Sequence, residues 1–450
     1  MTNQVSNSLE TPSAGRGFSF KTLSRIILPL TMACGTSAAA VPITRDSTLV
    51  VKEIIVEGNE TTKEHVILRE MSIKVGDRVT PEALDRDRDR IYSLQLFNKV
   101  AIETAAQSDS VTLIVRVHER WYLFPYPVVG IRYRDINKIF YGAGVAHQNF
   151  RGRNEKLYLS FALGYDRWIS LAYQNPKLTD DDDIFFRGSL SYQKVHNLSV
   201  TSGEYEQTNF GSGLNLGKRD GLYQTFFGFL NYDVWIVSDA QTGRTVSPTG
   251  RDAFFSLGLR YSYDTRNIRE YTTDGLLVSL GATKAGFGES EVNLMTYAYD
   301  VRAFTLLSEE WSLGARSYCV LIGGGITPPY RHVFYGYDER VRGYFSDVLE
   351  GENIFGGNLE IRFPIFRPRY LHVPIPIPQF SVLRYGLSAG IFADAGKIWY
   401  RSESFSSKPW LAGVGAGLHF LLPYSVVIRT EYAWNGKRRG QFVLDFGASF

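Results

Sequence analysis

The chain has 450 residues, a formal net charge of +3 and 44% apolar residues. This length and apolar content are enough to bury a core in two or three domains. The nearly balanced charge excludes the strongly basic surface that nucleic-acid binding needs. Its 27 Tyr, 29 Phe and 42 Gly are typical of many strands joined by tight turns. The composition therefore predicts a mainly β protein that does not bind nucleic acid.

Cysteine and histidine offer no framework for a disulfide-stapled fold or a metal site. The two cysteines are Cys34 and Cys319, and the seven histidines never fall at the i, i+4 spacing of a zinc motif. Residues 386–390 match the pattern G-x-S-x-G, but that motif needs a turn between a strand and a helix. Ser388 is expected in the middle of a strand. The sequence thus predicts neither an enzyme nor a cofactor.

Residues 1–40 have the features of an export signal. Positive side chains precede a short apolar run at 26–33, and small residues follow at 38–40. A lipoprotein signal that uses Cys34 is the alternative interpretation. Elsewhere no apolar run approaches the roughly 20 residues of a membrane helix. An exported chain of this kind is soluble, lipid-anchored or a membrane β-barrel.

Residues 46–119 predict a small α/β domain. The expected elements, in the order β-α-α-β-β, are a strand from Val50, helices ending near Met71 and Leu94, and strands over 97–104 and 110–119. Thr61 or Thr62 can cap the first helix. Pro81 suits the first position of the second helix, because its backbone angle is already helical.

Residues 121–450 consist of stretches of alternating polarity bounded by turn residues. In the last stretch, 441–450, Phe442, Leu444, Phe446 and Phe450 share one face. Such stretches are close to the roughly 9–11 residues that cross a bilayer as a tilted strand. The charges and glycines on the second face would not fit a dry core. We therefore predict an antiparallel transmembrane β-barrel of about sixteen strands, with both chain ends on the periplasmic side.

Two other features, an acidic run and a proline-rich segment, do not indicate a binding site. The four consecutive acids at 180–183 lack the spaced ligands of a calcium loop and are interpreted as a solvated turn. Three prolines, at positions 374, 376 and 378, fall in an expected periplasmic connection over about 367–383. They predict a rigid linker, with contact to a partner as the alternative.

Several motifs carry a resemblance to a known family. Residues 50–119 resemble a POTRA domain, and the remainder resembles the BamA/TpsB-type superfamily of outer-membrane assembly and secretion barrels, the bacterial surface antigen family. The segment Asn149-Phe150-Arg151-Gly152-Arg153 resembles the family's first periplasmic turn, although the residue that follows it, where the family usually has a second glycine, is Asn154. The most specific motifs are Val341-Arg342-Gly343-Tyr344, Gly356-Gly357 with Glu360-Ile361-Arg362-Phe363-Pro364, and Phe392-Ala393-Asp394-Ala395-Gly396.

The resemblance implies an ion-pair site inside the barrel. Alternation through the two strands that carry the motifs places Glu360 and Asp394 on the lumen face. Arg342 lies in a long connection, about 326–352, which in the family folds back into the barrel. Carried over, Arg342 would pair with both carboxylates, since a guanidinium can donate to two acceptors. A solvated arginine in a flexible loop is the alternative.

The resemblance also implies a function without chemistry. An assembly factor would template client strands at a seam between the first strand, about 128–134, and the last, from Gln441 to Phe450. Pro125 and Pro127 would shorten the closure of that seam. The expected partners are the outer-membrane bilayer, unfolded outer-membrane or secreted polypeptides, and periplasmic chaperones or lipoproteins.

Two alternatives stay open. One is a two-partner-type secretion pore, although such relatives usually carry two POTRA domains and a plug helix, for which the residues after the expected cleavage site leave no room. The other is a structural barrel that has no translocase activity.

Overall fold

A computed structural model describes residues 49–450 except 108, 133–134, 180–182, 198, 240, 242, 288–290, 337–338, 346, 438 and 448–449. The predicted export signal therefore lies outside the described residues, and so does most of the acidic run at 180–183. Within the described part of the chain, no helix is both long and apolar enough to cross a membrane.

The first domain is a three-stranded sheet covered by two helices. Its elements are β1 (Val50–Glu57), α1 (Glu64–Leu68), α2 (Pro81–Tyr92), β2 (Phe97–Gln107) and β3 (Ser110–Glu119). β3 lies in the centre, parallel to β1 and antiparallel to β2. Alternate residues of β3, from Val111 to Val117, are buried and pack with the helices in one core. β2 is therefore an edge strand of a POTRA-like domain.

The first helix is shorter than predicted and has no threonine cap. It begins at Glu64 after Lys63, whose side chain makes no capping hydrogen bond. Thr62 is buried, and its hydroxyl instead receives the side-chain amide of Asn149 at 2.9 Å. Because Asn149 belongs to the second domain, a long-range contact replaces the local cap. Thr80, by contrast, caps α2, and Pro81 occupies the first position of this helix as predicted. The helix ends at Tyr92, two residues before the predicted end at Leu94.

The second domain is a sixteen-stranded antiparallel sheet in chain order, which confirms the predicted barrel fold. Between the eleventh and twelfth strands of this sheet, residues 333–335 and 349–351 pair as a separate two-stranded antiparallel sheet. The strands are β4 (Leu123–Ile131), β5 (Ile139–Phe150), β6 (Glu155–Gly164), β7 (Arg167–Asn175), β8 (Ile184–His196), β9 (Glu206–Asp220), β10 (Gln224–Val237), β11 (Arg251–Asp264), β12 (Gly275–Phe287), β13 (Leu294–Leu306), β14 (Ser312–Gly324), β15 (Val333–Tyr335), β16 (Leu349–Gly351), β17 (Asn353–His372), β18 (Val382–Trp399), β19 (Leu411–Leu422), β20 (Val426–Asn435) and β21 (Gly440–Phe446).

The strands present one face to hydrocarbon and one to the lumen. In β20, Tyr432 and Trp434 are exposed on the outside, whereas Arg429 and Glu431 are buried on the inside. The interior is therefore polar, as expected for a barrel whose outer wall contacts lipid.

The first strand begins earlier than the predicted 128–134. β4 starts at Leu123 and ends at Ile131, so it contains Pro125 and Pro127 rather than following them. Proline is tolerated there because β4 is an edge strand, in which one row of backbone groups has no partner strand. Proline therefore removes N–H donors from the free edge without ending the strand.

The last strand ends earlier than predicted. β21 stops at Phe446, and Gly447, with a φ of +91°, turns the chain at this point. The Phe450 ring does not continue the lipid-facing row but stacks on Phe304, with 5.8 Å between ring centroids. Alternation predicts which face a residue takes inside a strand, but it does not predict where the strand leaves the sheet.

The proline-rich connection is also shorter than predicted. β17 extends to His372 and β18 begins at Val382, which leaves residues 373–381 as the connection. At 20 and 18 residues these two strands are longer than a bilayer crossing requires. Their hairpin therefore projects beyond the barrel wall, beside the POTRA-like domain.

The POTRA-like domain lies across the end of the barrel at which the short connections cluster. Its contacts reach the connections β5–β6, β7–β8, β9–β10, β11–β12, β17–β18 and β19–β20. A largely buried ion pair in this interface joins Arg219 to Glu70, with hydrogen bonds of 2.6 and 2.9 Å to the two carboxylate oxygens. Burial by itself would raise the pKa of Glu70, but the hydrogen bond from Arg219 and its charge outweigh burial and lower the pKa to about 2.

We predict that Glu70→Gln loosens the docking of the two domains. Removing the carboxylate leaves Arg219 buried without its counter-charge, which costs on the order of 3 kcal/mol. The distance between spin labels on the two domains should then become broader. Glu57→Gln, which breaks an exposed ion pair with Arg116 away from the barrel, is the matched control and should leave the distance unchanged.

The same pair predicts a pH dependence. Because the pKa of Glu70 is depressed in the folded state, its stabilising contribution is complete above about pH 4.5 and is lost as the pH falls toward 2. The inter-domain distance of the wild-type protein should broaden in this window. If the inter-domain distance of Glu70→Gln broadened by the same amount over this pH range, the assignment of the pH dependence to Glu70 would be contradicted.

Candidate functional site: the loop-filled lumen and the seam

The connection between β14 and β17 folds back into the barrel and seats an aromatic ring on its wall. Tyr335 is buried, and its hydroxyl donates a hydrogen bond to the Phe355 carbonyl at 2.8 Å. Gly356 and Gly396 are register partners on β17 and β18. A Cβ atom on either glycine would lie within 2.7 Å of the Tyr335 hydroxyl. These glycines therefore make room for the loop, whereas Gly357 lies on the opposite face.

Arg342 is the centre of a buried charge cluster. Its Nε and Nη2 each donate to Asp394 at 2.7 Å, and its Nη1 donates to Glu360 at 2.5 Å and to Glu431 at 3.2 Å. Its side chain is 10% exposed, and the three carboxylates are at most 2% exposed. The guanidinium also lies 3.6 Å from the centre of the Phe392 ring. One loop side chain thereby joins β17, β18 and β20.

Sequence reasoning missed three members of this cluster, which are Arg362, Arg429 and Glu431. Glu431 accepts a hydrogen bond from Arg429 at 2.8 Å, and Glu360 accepts one from Arg362 at 2.5 Å. Alternation placed all three side chains on the lumen face, which was the available signal, but it could not show that they meet Arg342. With three guanidiniums facing three carboxylates, the cluster is close to neutral and its members can stay buried.

The remaining residues of the V-R-G-Y motif hold the loop backbone in place. Gly343 has a φ of +97°, a conformation that favours glycine. Gly413 lies against the loop, where a Cβ would come within 1.7 Å of the Arg342 carbonyl oxygen. Val341 and Tyr344 are buried on either side of the arginine and glycine. The whole motif is therefore packed rather than solvated.

The cluster contains a group that could be mistaken for a metal site. Glu360, His419 and Glu431 lie within mutual ligand distance. However, Nδ1 of His419 is in a 2.8 Å hydrogen bond with the Tyr271 hydroxyl, and arginines already neutralise both carboxylates. A divalent cation would bring two further positive charges next to three guanidiniums. The chemistry of these residues fits an ion-pair network better than a metal site.

The seam between β4 and β21 has no backbone pairing among the residues that the structure describes. Gln148 donates its backbone N–H to the Tyr122 carbonyl, so even-numbered residues of β4 direct their backbone groups at β5. Odd-numbered residues consequently face the seam. Pro125 and Pro127 are odd-numbered, and the seam edge of β4 therefore lacks two N–H donors.

Gln441 and Phe450, the predicted first and last residues of the final strand, lie in different parts of the barrel. Gln441 lies at the start of β21, where its Oε1 accepts the backbone N–H of Phe345 from the loop at 2.8 Å. Phe450 lies away from the seam, against Phe304, with the guanidinium of Arg362 5.3 Å from its ring centre. The structure thus links Gln441 to the loop site and separates Phe450 from the seam.

Comparisons with known proteins agree with this architecture. A family model described as the Omp85 superfamily domain matches residues 149–450, and a POTRA model, described as a surface antigen variable number repeat, matches residues 49–120. The outer membrane protein assembly factor BamA of Nitratidesulfovibrio vulgaris is 23% identical over 328 residues. The match covers 69% of this chain and 40% of that relative, so the chain spans less than half of the relative's length.

Two solved structures share the fold. BamA from Haemophilus ducreyi lacking POTRA domains 1–3 has a TM-score of 0.53 at 18% identity, covering 89% of this chain and 84% of that one. CdiB from Escherichia coli has a TM-score of 0.52 at 11% identity, covering 93% and 92%. At these identities the similarity concerns the fold alone.

We predict that Arg342→Ala releases the loop without unfolding the barrel. Three buried carboxylates would lose a shared partner, at a cost of about 3–5 kcal/mol to loop anchoring, whereas the strand pairing is untouched. Hydrogen–deuterium exchange in residues 339–345 should rise strongly while exchange in the strands stays low. Arg367→Ala, which removes an exposed ion pair with Glu310, is the control and should leave exchange unchanged both in residues 339–345 and in the strands. Unchanged exchange in the Arg342→Ala loop would refute the anchoring role.

Proposed function

The chain belongs to the Omp85 superfamily, and on that premise we propose that it inserts other β-barrel proteins into the outer membrane. Unfolded outer-membrane polypeptides are the proposed clients. The POTRA-like domain and both chain ends face the periplasm in this proposal, where chaperones or lipoproteins can deliver clients. The client strands pair with the free edges of the seam.

The observation that carries this proposal is the unpaired seam. An unpaired backbone N–H or C=O group in hydrocarbon costs several kcal/mol. β21, with seven residues, is shorter than the roughly 9–11 that span a bilayer, and β4 lacks donors at Pro125 and Pro127. A weakly closed seam can open and offer its edge to an extended client strand. Pairing then satisfies the groups of both chains.

The POTRA-like domain provides a second edge for an extended client. β2 is an outer strand of its sheet, so its free side can accept a strand by β-augmentation. The start of β2 lies beside the projecting β17–β18 hairpin, because Asn98 donates its side-chain amide to the Gln379 carbonyl and the Lys99 ammonium lies 5.5 Å from the centre of the Tyr370 ring. The remainder of β2 would therefore receive the client, close to the barrel.

The proposed function requires no catalytic group. Ser388 of the G-x-S-x-G pattern is buried in the middle of β18, opposite Pro364 and His419 in the neighbouring strands. This position supports a structural role, because a nucleophile of that motif needs an exposed turn.

Depletion of the protein followed by quantification of the outer-membrane proteome tests the proposal against its alternatives. Loss of several unrelated barrels is the expected result. Loss of a single secreted protein would favour a two-partner-type secretion pore instead, and an unchanged proteome would favour a structural barrel without translocase activity.

We further predict that Pro125→Val combined with Pro127→Val slows insertion. The two substitutions add N–H donors to the seam edge of β4, and each new hydrogen bond would stabilise the closed seam by about 0.5–1.5 kcal/mol. The rate at which an unfolded client barrel inserts into liposomes that contain the protein should fall about tenfold. Pro374→Val, in the β17–β18 connection, is the matched control and should insert clients at the wild-type rate. An unaltered rate in the double variant would contradict a seam-limited mechanism.

A further inference from the structure

We propose that Arg340 and Asp445 form a latch through which the inserted loop holds the last strand closed. A client segment that enters the lumen would open the seam by displacing this latch. The identity of the client rests on the proposed function, whereas the contact between Arg340 and Asp445 does not depend on it.

The loop contacts β21 at two places on its inner face. Nη1 of Arg340 donates to Asp445 at 2.9 Å, and the same carboxylate oxygen receives Nη2 of Arg429 from β20 at 2.9 Å. Nearer the start of the strand, the backbone N–H of Phe345 donates to Gln441 at 2.8 Å. The loop segment that carries Arg342 therefore also holds the strand that borders the seam.

These contacts contribute more to holding β21 in place than they would for another strand, because β21 lies at the edge of the sheet. A strand inside the sheet is held from both sides, whereas among the described residues β21 pairs over seven residues with β20 and with no second strand. Contacts from the lumen side therefore add to the single ladder that resists peeling of the last strand. They also make the position of the strand depend on the position of the loop.

The latch differs from the Arg342 cluster in strength. The side chains of Arg340 and Asp445 are 32% and 27% exposed, so water screens their attraction. Pairs of this kind contribute far less than a fully buried pair. The loop thus has a strong anchor on β17, β18 and β20 and a weak attachment to β21. A weak attachment is what a reversible latch requires.

The lumen gives a client access to the latch. A cavity of about 1020 Å³ is lined by Arg340, Phe345 and Asp445, together with the inner faces of several strands. An extended polypeptide in this cavity that carries a carboxylate would compete with Asp445 for Arg340, because both present the same acceptor to the guanidinium. An acidic or carboxylate-bearing unfolded segment is therefore the chemistry that would release the strand.

Spin labels on β4 and β21 test the latch directly. Val129 and Leu444 face outward on the two seam strands and can be replaced by labelled cysteines in a background without Cys34 and Cys319. In liposomes without client, Arg340→Ala should raise the population with a long inter-label distance about three- to tenfold over the wild type. Arg340→Lys, which keeps the charge, should restore most of the short distance.

Two further variants separate the latch from a general loosening of the loop. Arg401→Ala removes an ion pair with Glu352 near the outer end of the same loop and should leave the distance unchanged. Adding Arg340→Ala to Asp445→Asn should have no effect on the distance beyond that of Asp445→Asn alone, because the ion pair between Arg340 and Asp445 is already lost in Asp445→Asn.

The outcomes distinguish failure of the latch from failure of the proposed function. An unchanged distance in Arg340→Ala, or an equal change in Arg401→Ala, overturns the latch whatever the insertion assay shows. A seam that responds to Arg340→Ala supports the latch even when the protein inserts no client. In that case the proposed function fails by itself.

Discussion

The burial of charge inside the barrel is the constraint on which the rest of the structure depends. A loop with several arginines can pack against the inner wall of the barrel only when the charges that it buries there find partners. Arg342 meets this requirement by binding Asp394, Glu360 and Glu431 on three strands. The glycines of β17 and β18 then have a clear purpose, because they leave the space into which the loop packs.

The strands themselves are held by a different interaction. Every barrel strand except the first and the last is hydrogen-bonded to two neighbours among the described residues. Both the missing donors of β4 and the early end of β21 affect the same seam. The described barrel strands are therefore paired continuously from β4 to β21 and unpaired along one line, where the loop contacts β21. The proposed function would use this difference, because a client strand could pair only where the sheet is not already closed.

Much of this architecture follows from local sequence patterns. Lipid outside and water inside impose a period of two on every strand, which is why the sixteen strands and their inner faces could be predicted. The same period is enough to place Glu360 and Asp394 on the lumen face. The site was harder to predict, because its members come from strands that are distant in sequence. Glu431 has the same alternation as its neighbours, and nothing local distinguishes it from a solvated glutamate.

The sequence by itself determined the class of fold, the order of elements and the face that each side chain presents, because these depend on residues a few positions apart. The tertiary structure alone decided where β4 begins, where β21 ends and which charges meet. Thr62 shows the reason: its local pattern favours a helix cap, yet its hydroxyl contacts Asn149 in the other domain. Contacts between distant segments compete with local preferences, and only the assembled structure shows which of them prevail.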